Sequence, residues 1–178
     1  MHFARFVPGI AAAALFVGLA APAARADIAL PRNSPNARVQ QTVGVTDLSL
    51  TYSRPGVKGR SIWGGLVPYG QPWRTGANEA TKFTCSTDIT VGGQKLAAGT
   101  YSFFTIPADG DWQVIFSNQT DLWGSVGYDS TKDALRLTVK PATGAAHQEW
   151  MWLAFDDLTP NSANLVLRWE KLALSVPV

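Results

Sequence analysis

Arginine and tryptophan side chains are concentrated in the segment Tyr52–Thr81, which has no clear strand periodicity. Four basic residues of this segment stand against one acidic residue. A guanidinium beside an indole presents a planar pair of donors next to an aromatic wall, and this combination suits a carboxylate, a phosphate or an acidic sugar. The sequence therefore predicts a site for an anionic small molecule or glycan, formed by Tyr52, Arg54, Arg60, Trp63, Trp73, Arg74, Asn78, Glu79 and Glu170.

The same arginines also have a purely structural interpretation. Arginines in long loops often bond backbone carbonyls or pair with internal carboxylates, here Glu79 or Glu170, and the loop then only closes one end of the domain. Arg74 separates the two hypotheses, because it follows Trp73 where the loop returns to a strand. Its guanidinium is expected to reach either an internal acid or a bound anion. The sequence leaves both interpretations open.

Catalysis is the alternative to binding. Glu79 and Glu170 are the carboxylates that a hydrolase or isomerase would use as acid and base, with an arginine stabilising the anion. Nearby arginines lower carboxylate pKa values, whereas a general acid needs a raised one. The motifs HExxH and GxSxG and a glycine-rich phosphate loop are absent from the sequence. The sequence therefore favours a non-catalytic binding module and identifies no catalytic residue.

Two further groups of residues carry weaker signals. His147 follows a turn-like run of small residues, which predicts an exposed side chain rather than a metal ligand shared with Asp156 and Asp157. Trp150 and Trp152 lie two residues apart, on one face of a predicted strand. Aromatic residues with this spacing are more often part of a hydrophobic core than of a carbohydrate-binding surface. If both side chains were exposed, however, they would stack on sugar rings and form such a surface. We expect no metal and no cofactor.

Short runs of β-branched and aromatic residues, separated by Gly, Pro, Asn and Asp, surround this segment. Ile89–Leu96 contains two glycines between short strand-like runs, which is typical of a tight hairpin. Thr100–Ile106 and Trp112–Ser117 are apolar at nearly every position, which predicts strands that are covered on both faces. Other strands are predicted at Val45–Ser53, Glu79–Ile89, Ala134–Lys140, Gln148–Asp156, Asn164–Glu170 and Lys171–Val176, and a type II turn is predicted at Arg54-Pro55-Gly56.

About nine or ten strands joined by short turns predict an all-β fold, an antiparallel β-sandwich or a jelly-roll-like domain. Seven tryptophans and a low charged fraction exclude a disordered chain, and a single cysteine excludes an intramolecular disulfide and a Cys-based zinc site. The positions expected in the core are Leu50, Tyr52, Phe83, Phe104, Ile115, Leu137, Leu153 and Leu167.

Residues 1–26 have the organisation of a secretory signal peptide. Arg5 precedes the apolar run Val7–Ala20, and Ala24-Arg25-Ala26 forms a small-residue cleavage pattern before Asp27. The run is shorter than a membrane-spanning helix requires, so we expect export to the periplasm or the medium without stable membrane insertion. The remaining domain, 27–178, has 13 basic and 13 acidic residues, which gives no support for nucleic-acid binding.

Several phrases of the sequence resemble a known bacterial family. They are Gly59-Arg60, WRTGANEAT at Trp73–Thr81, AGTYS at Ala98–Ser102 and the pair Trp169-Glu170. Over roughly residues 34–178 the chain resembles the family called domain of unknown function 2911. The resemblance implies an exported bacterial protein with a β-rich domain, and it implies no particular activity.

Overall fold

Ten β-strands and one short 3-10 turn, Ser130–Lys132, make up the regular structure of residues 30–178, the part of the chain that the computed structural model describes. The strands are β1 (Asn36–Val43), β2 (Thr46–Ser53), β3 (Lys82–Cys85), β4 (Ile89–Val91), β5 (Gln94–Leu96), β6 (Gly99–Ile106), β7 (Trp112–Ser117), β8 (Asp133–Val139), β9 (Ala142–Asp156) and β10 (Asn164–Pro177). Every strand pair is antiparallel, which confirms the predicted all-β fold. The predicted signal peptide, 1–26, lies outside the described residues.

Six strands form one sheet in the order β1-β2-β3-β6-β7-β8, and the long hairpin β9-β10 packs against one of its faces. Phe83 in the sheet lies 5.1 Å from Phe116 and 6.5 Å from Phe155 of the hairpin, measured between ring centroids. Alternate residues of both layers are therefore buried against each other, as in a sandwich. The small hairpin β4-β5 has Gly92 and Gly93 at its turn, both with positive φ, as predicted.

The opposite faces of β6 and β7 are also covered. Phe104 and Ile115 are fully buried there and pack with Leu122 and Tyr128 of the loop 118–129. This confirms that both strands are covered on two sides. All eight core positions expected from the sequence are buried, with relative exposures of 8% or less.

Some strand boundaries differ from the predictions. Lys171–Val176 is the second half of β10 rather than a separate strand, and the register shifts on both sides of Glu170, where φ is +56°. An interrupted hydrogen-bond ladder at this bulge explains why the sequence period changes there. β3 is shorter than predicted, and β9 begins earlier, at Ala142. Within residues 30–178 we find no helix long and apolar enough to cross a lipid bilayer.

Candidate functional site

The arginine-rich segment begins as an irregular chain that runs beside β9. The Val57 N–H donates to the Glu149 carbonyl at 2.8 Å, and the Met151 N–H donates to the Pro55 carbonyl at 2.9 Å. Gly56 lies between these bonds, pairs with Trp150 and does not adopt a positive φ. A type II turn requires a positive φ at that glycine, so the predicted turn is wrong. Pairing with β9 keeps this part of the backbone extended instead.

The segment returns to the sheet at Trp73. Its N–H and C=O exchange hydrogen bonds of 2.8 and 2.9 Å with Thr105 of β6. Thr75 follows with a φ of +49° although it is β-branched and fully buried, and Asn78 has a φ of +58°. Such conformations persist only where the surroundings enforce them, and here the Thr81 hydroxyl donates to the Thr75 carbonyl at 2.8 Å. The backbone around Arg74 is therefore held by buried contacts.

Gly76 explains why this turn packs so closely against β2. A Cβ atom at Gly76 would lie 3.1 Å from the Ser53 carbonyl oxygen and 3.0 Å from the Thr81 hydroxyl. The turn approaches the end of β2 more closely than a side chain would allow. From the other side, the Gly124 N–H donates to the Asn78 carbonyl at 3.1 Å.

A cavity of about 190 Å³, here named the arginine cavity, lies beside this turn. Trp73 and Trp169 form part of its lining and stack with ring centroids 5.7 Å apart and planes inclined by 19°. The Trp73 indole N–H donates to the Gly76 carbonyl at 3.1 Å. The Trp169 indole N–H is buried and has no hydrogen-bond partner in the described chain. Arg60 and Arg74 are the two arginines that contribute to its lining.

Arg74 has an unusual environment for a guanidinium group. Its side chain is partly buried, its Nε atom is buried without a partner, and it forms no salt bridge with any residue of 30–178. Burial lowers the pKa of the group below its ordinary value, but arginine stays charged in proteins. Gly124 adjoins this side chain, since a Cβ there would lie 3.7 Å from Nη1. The described chain thus surrounds a cation without supplying an anion.

The other two predicted arginines bond backbone carbonyls. Arg54 donates from Nε to the Met151 carbonyl at 2.8 Å. Arg60 donates to the carbonyls of Val57 and Gly56 at 3.1 and 2.5 Å. These bonds fix the segment to β9 and onto itself, which is the structural role that the sequence left open for the loop arginines. Of the two, Arg60 also lines the arginine cavity.

Three more of the predicted site residues, Tyr52, Asn78 and Glu79, lie outside the arginine cavity, as Arg54 does. Glu79 accepts hydrogen bonds from Arg32 at 2.8 and 2.9 Å. Asn78 donates to the Ser53 hydroxyl at 3.2 Å, which ties the turn to β2. The Tyr52 hydroxyl bonds the backbone of Leu153 in the core. None of the three contributes to the lining that Arg74 and Trp73 share.

Trp63 and Glu170 line a second cavity of about 360 Å³, here named the aromatic cavity. Trp63 makes edge-to-face contacts with Trp73, Trp112 and Trp169, at centroid distances of 5.8, 4.9 and 5.6 Å. This four-tryptophan cluster connects the linings of the two cavities. The structure thus divides the predicted site, and it does not place Glu79 and Glu170 in one cavity as an acid–base pair would require.

The comparison with protein families gives one match. The model described as "Protein of unknown function (DUF2911)" matches residues 34–178, which include all ten strands and both cavities. The chain belongs to this family. The resemblance read from the sequence is therefore confirmed. Searches of curated proteins and of solved structures return no match for the chain.

In this DUF2911 domain, the phrase at Trp73–Thr81 lies where the backbone is partly strained and buried. WRTGANEAT contains both the stacked Trp73 and the strained, buried Thr75, and it positions Arg74 at the arginine cavity. Sequence reasoning missed Trp169 as a member of the same lining, although it identified the Trp169-Glu170 pair. It also missed Arg32, because nothing in the local pattern indicates a partner 47 residues away.

The remaining candidate residues have local partners. Trp150 is 36% exposed, and the Lys58 ammonium lies 5.5 Å from its ring centroid. The Arg168 guanidinium lies 5.3 Å from the ring of Trp152. His147 contacts Glu149 at 3.3 Å. The Lys58 and Arg168 side chains thus each cover one ring face, of Trp150 and of Trp152 respectively. Within the described chain no three His, Cys, Asp or Glu side chains are grouped to hold a metal ion.

Proposed function

We propose that this DUF2911 domain binds a small carboxylate in the arginine cavity. The observation that carries the proposal is Arg74, a partly buried cation that has no acidic partner in residues 30–178. Removing a charge from water is costly unless an opposite charge or good hydrogen bonds replace the water. A ligand carboxylate supplies both. The domain is proposed to bind its ligand without transforming it.

The hydrogen-bond donors of the cavity suit a carboxylate. The Arg74 guanidinium presents parallel N–H groups that match two carboxylate oxygens, and such charge-assisted bonds contribute about 1.5–3 kcal/mol each. Trp73 and Trp169 also line this cavity, and they add no anionic group to it. A carboxylate there would give Arg74 the acidic partner that residues 30–178 do not provide. This supports an acceptor-only group rather than a donor as the ligand.

The walls and the volume limit the size of the ligand. Leu66, Val67, Trp73 and Trp169 form the apolar part of the lining, and the open volume is about 190 Å³. A small organic acid with an apolar body uses both this apolar lining and the guanidinium. Inorganic phosphate would use only the charge, so we favour the carboxylate.

Thermal unfolding followed by tryptophan fluorescence tests this proposal. A ligand that binds only the folded state raises the melting temperature by mass action. Sodium acetate and sodium benzoate are compared with sodium phosphate and with sodium chloride at equal ionic strength. We expect a carboxylate to raise the melting temperature and chloride to have no specific effect.

Three variants assign the effect to the cavity. Arg74→Met should abolish the carboxylate-dependent shift, and Arg74→Lys should weaken it at least tenfold in apparent affinity, because lysine keeps the charge but loses the paired N–H geometry. Arg38→Met is the matched control, since Arg38 is exposed on β1. A shift that survives in Arg74→Met would contradict the proposal. A shift with phosphate alone would replace the carboxylate by a phosphate ligand.

We further propose that the protein is exported and that its ligand is encountered outside the cytoplasm. The support is the sequence of residues 1–26, with its basic start, short apolar run and Ala-x-Ala pattern. Intact-mass measurement of the protein from its native host should give a chain that starts at Asp27. A chain that retains Met1 would contradict export by signal cleavage.

A further inference from the structure

The aromatic cavity is built differently from the arginine cavity. Its volume of about 360 Å³ lies within the range of about 300–1,000 Å³ that is usual for small-molecule sites. Trp63 and Tyr69 provide aromatic surface along its lining, and Trp112 lies behind them with 1% of its surface exposed. Gly110 and Gly144 also belong to the lining, and a Cβ atom at either would meet no other atom within 4 Å. The cavity therefore combines aromatic walls with open space at two glycines.

The charged groups of this cavity are balanced. Two acidic and two basic side chains line it, namely Asp109, Glu170, Lys140 and Lys171. None of the four forms a salt bridge with another residue of 30–178. The cavity thus offers carboxylate acceptors and ammonium donors together and has no net charge. A hydroxyl group can donate a hydrogen bond to a carboxylate and accept one from an ammonium group. A ligand with several hydroxyl groups therefore uses both the acidic and the basic side chains.

A local feature of β10 supports a built site. Glu170 has a φ of +56° at the bulge in β10, an unfavourable conformation for a non-glycine residue. The bulge places Glu170 in the lining beside Lys171 and Leu172. Backbone strain of this kind is concentrated at functional positions.

We infer that the aromatic cavity binds an uncharged saccharide. The apolar face of a pyranose ring packs on an aromatic wall, while its hydroxyl groups donate to Glu170 and Asp109 and accept from the Lys140 and Lys171 ammonium groups. This inference is independent of the proposed carboxylate site, because the two cavities share no charged lining residue.

Tyr69 is the wall residue best suited to a test. It is 43% exposed, and Gly64 lies beneath its ring, since a Cβ atom at Gly64 would come within 3.0 Å of it. Removing the ring therefore leaves the main core intact. Glu170→Gln keeps the size of the side chain and removes its negative charge. These two changes probe the stacking wall and the hydrogen-bonding group separately.

Saturation-transfer-difference NMR on the purified protein provides the measurement. The probes are D-glucose, D-galactose, N-acetyl-D-glucosamine and maltose, with glycine as a zwitterionic probe. We expect saturation transfer to at least one sugar, and at least tenfold weaker binding in Tyr69→Ala and in Glu170→Gln. Trp150→Ala is the control, because Trp150 is exposed on a different part of the surface. It should bind the sugar like the unmodified protein.

The two proposals fail separately in this design. Arg74→Met should lose the acetate or benzoate effect and keep the sugar signal, and Tyr69→Ala should do the opposite. The inference is overturned if none of the four sugars receives saturation, if glycine alone does, or if binding survives in Tyr69→Ala but not in Trp150→Ala. That last result would place the sugar on the surface of β9. Melting temperatures of the variants exclude unfolding as the cause of lost binding.

Discussion

Arg32 donates two hydrogen bonds to the carboxylate of Glu79, at 2.8 and 2.9 Å. Glu79 is the acidic residue nearest to Arg74 in the sequence, and it is paired with a different arginine. A hydrogen bond from its own backbone N–H, together with Arg32, holds the pKa of Glu79 below its ordinary value. Glu79 therefore remains ionised at neutral pH and paired with Arg32, and Arg74 keeps its charge without an acidic partner in the described chain.

Arg74→Met should consequently change stability by no more than about 1 kcal/mol. An ion pair with a buried acid would leave that acid unpaired on substitution and cost about 3–5 kcal/mol, but the described structure contains no such acid. Methionine keeps an unbranched apolar stem at this position. Urea denaturation at pH 7 gives the free energy of unfolding of both proteins. A loss of about 3 kcal/mol or more would identify a hidden acidic partner and contradict the proposed binding role.

The strand pattern could be read from the sequence because it depends on local alternation. Trp112–Ser117 and the Gly92-Gly93 hairpin were predicted with their exact boundaries, since apolar runs and paired glycines act within a few residues. β1 was not predicted. It lies at the edge of the sheet, and its side chains alternate between exposed and half-buried, so its sequence lacks a strong apolar period.

The candidate site could be predicted only in part, for a physical reason. Tryptophan and arginine content located the segment that contains Trp73 and Arg74. Tertiary contacts decide which arginine has unpaired N–H donors. Arg60 donates to the carbonyls three and four residues before it, whereas the buried Nε of Arg74 has no acceptor in the described chain. Trp169 joins the lining of the arginine cavity because β10 packs beside the loop that contains Trp73. The spacing of residues in the sequence does not show this packing.

Tyr52→Phe should destabilise the fold by about 1–3 kcal/mol. The Tyr52 hydroxyl donates to the Leu153 carbonyl at 3.1 Å and accepts from the Leu153 N–H at 3.0 Å. Removing the hydroxyl leaves two buried backbone groups of β9 unpaired, and an unsatisfied buried group costs about this amount. Chemical denaturation measures the loss. A change below about 0.5 kcal/mol would indicate that water replaces the hydroxyl, and the contact would then not join β2 to the hairpin.

Two buried serines allow a matched test of hydrogen bonding. Ser102 is fully buried, and its hydroxyl has no partner in residues 30–178, whereas the Ser53 hydroxyl donates to Asn36 at 2.8 Å and accepts from Asn78 at 3.2 Å. Ser102→Ala removes an unpaired polar group and should leave stability unchanged or raise it by about 1 kcal/mol. Ser53→Ala should lower it by about 1–2 kcal/mol.

Calorimetric unfolding of both serine variants provides the comparison. The same chemical change is made at two buried positions, so differences in volume largely cancel. An equal loss of stability in both variants would mean that Ser102 has a partner, such as a bound water, that the contacts within the described chain do not include.

Tyr128 makes the stability of the fold depend on pH in the alkaline range. The Tyr128 hydroxyl donates to the Asp133 carboxylate, at 2.8 and 2.9 Å to its two oxygens, and accepts from the Arg136 guanidinium at 2.6 Å. Burial, and then the neighbouring Asp133, raise the pKa of Tyr128 to about 12, while Arg136 opposes the rise. In the unfolded chain the hydroxyl loses its proton near pH 10. The unfolded state therefore binds fewer protons than the folded state between about pH 10 and 12.

Stability should accordingly fall as the pH rises through this interval, and the contribution of Tyr128 is fully present below about pH 10. Burial also raises the pKa values of Tyr52 and Tyr101, so the unmodified protein shows the sum of several groups. Tyr128→Phe isolates one of them, because the Arg136–Asp133 contact at 2.8 Å does not depend on the hydroxyl. Urea midpoints measured at intervals from about pH 9 to pH 12 should decline less steeply in this variant. Identical slopes in the two proteins would show that Tyr128 titrates as in the unfolded chain and that Asp133 does not hold its proton.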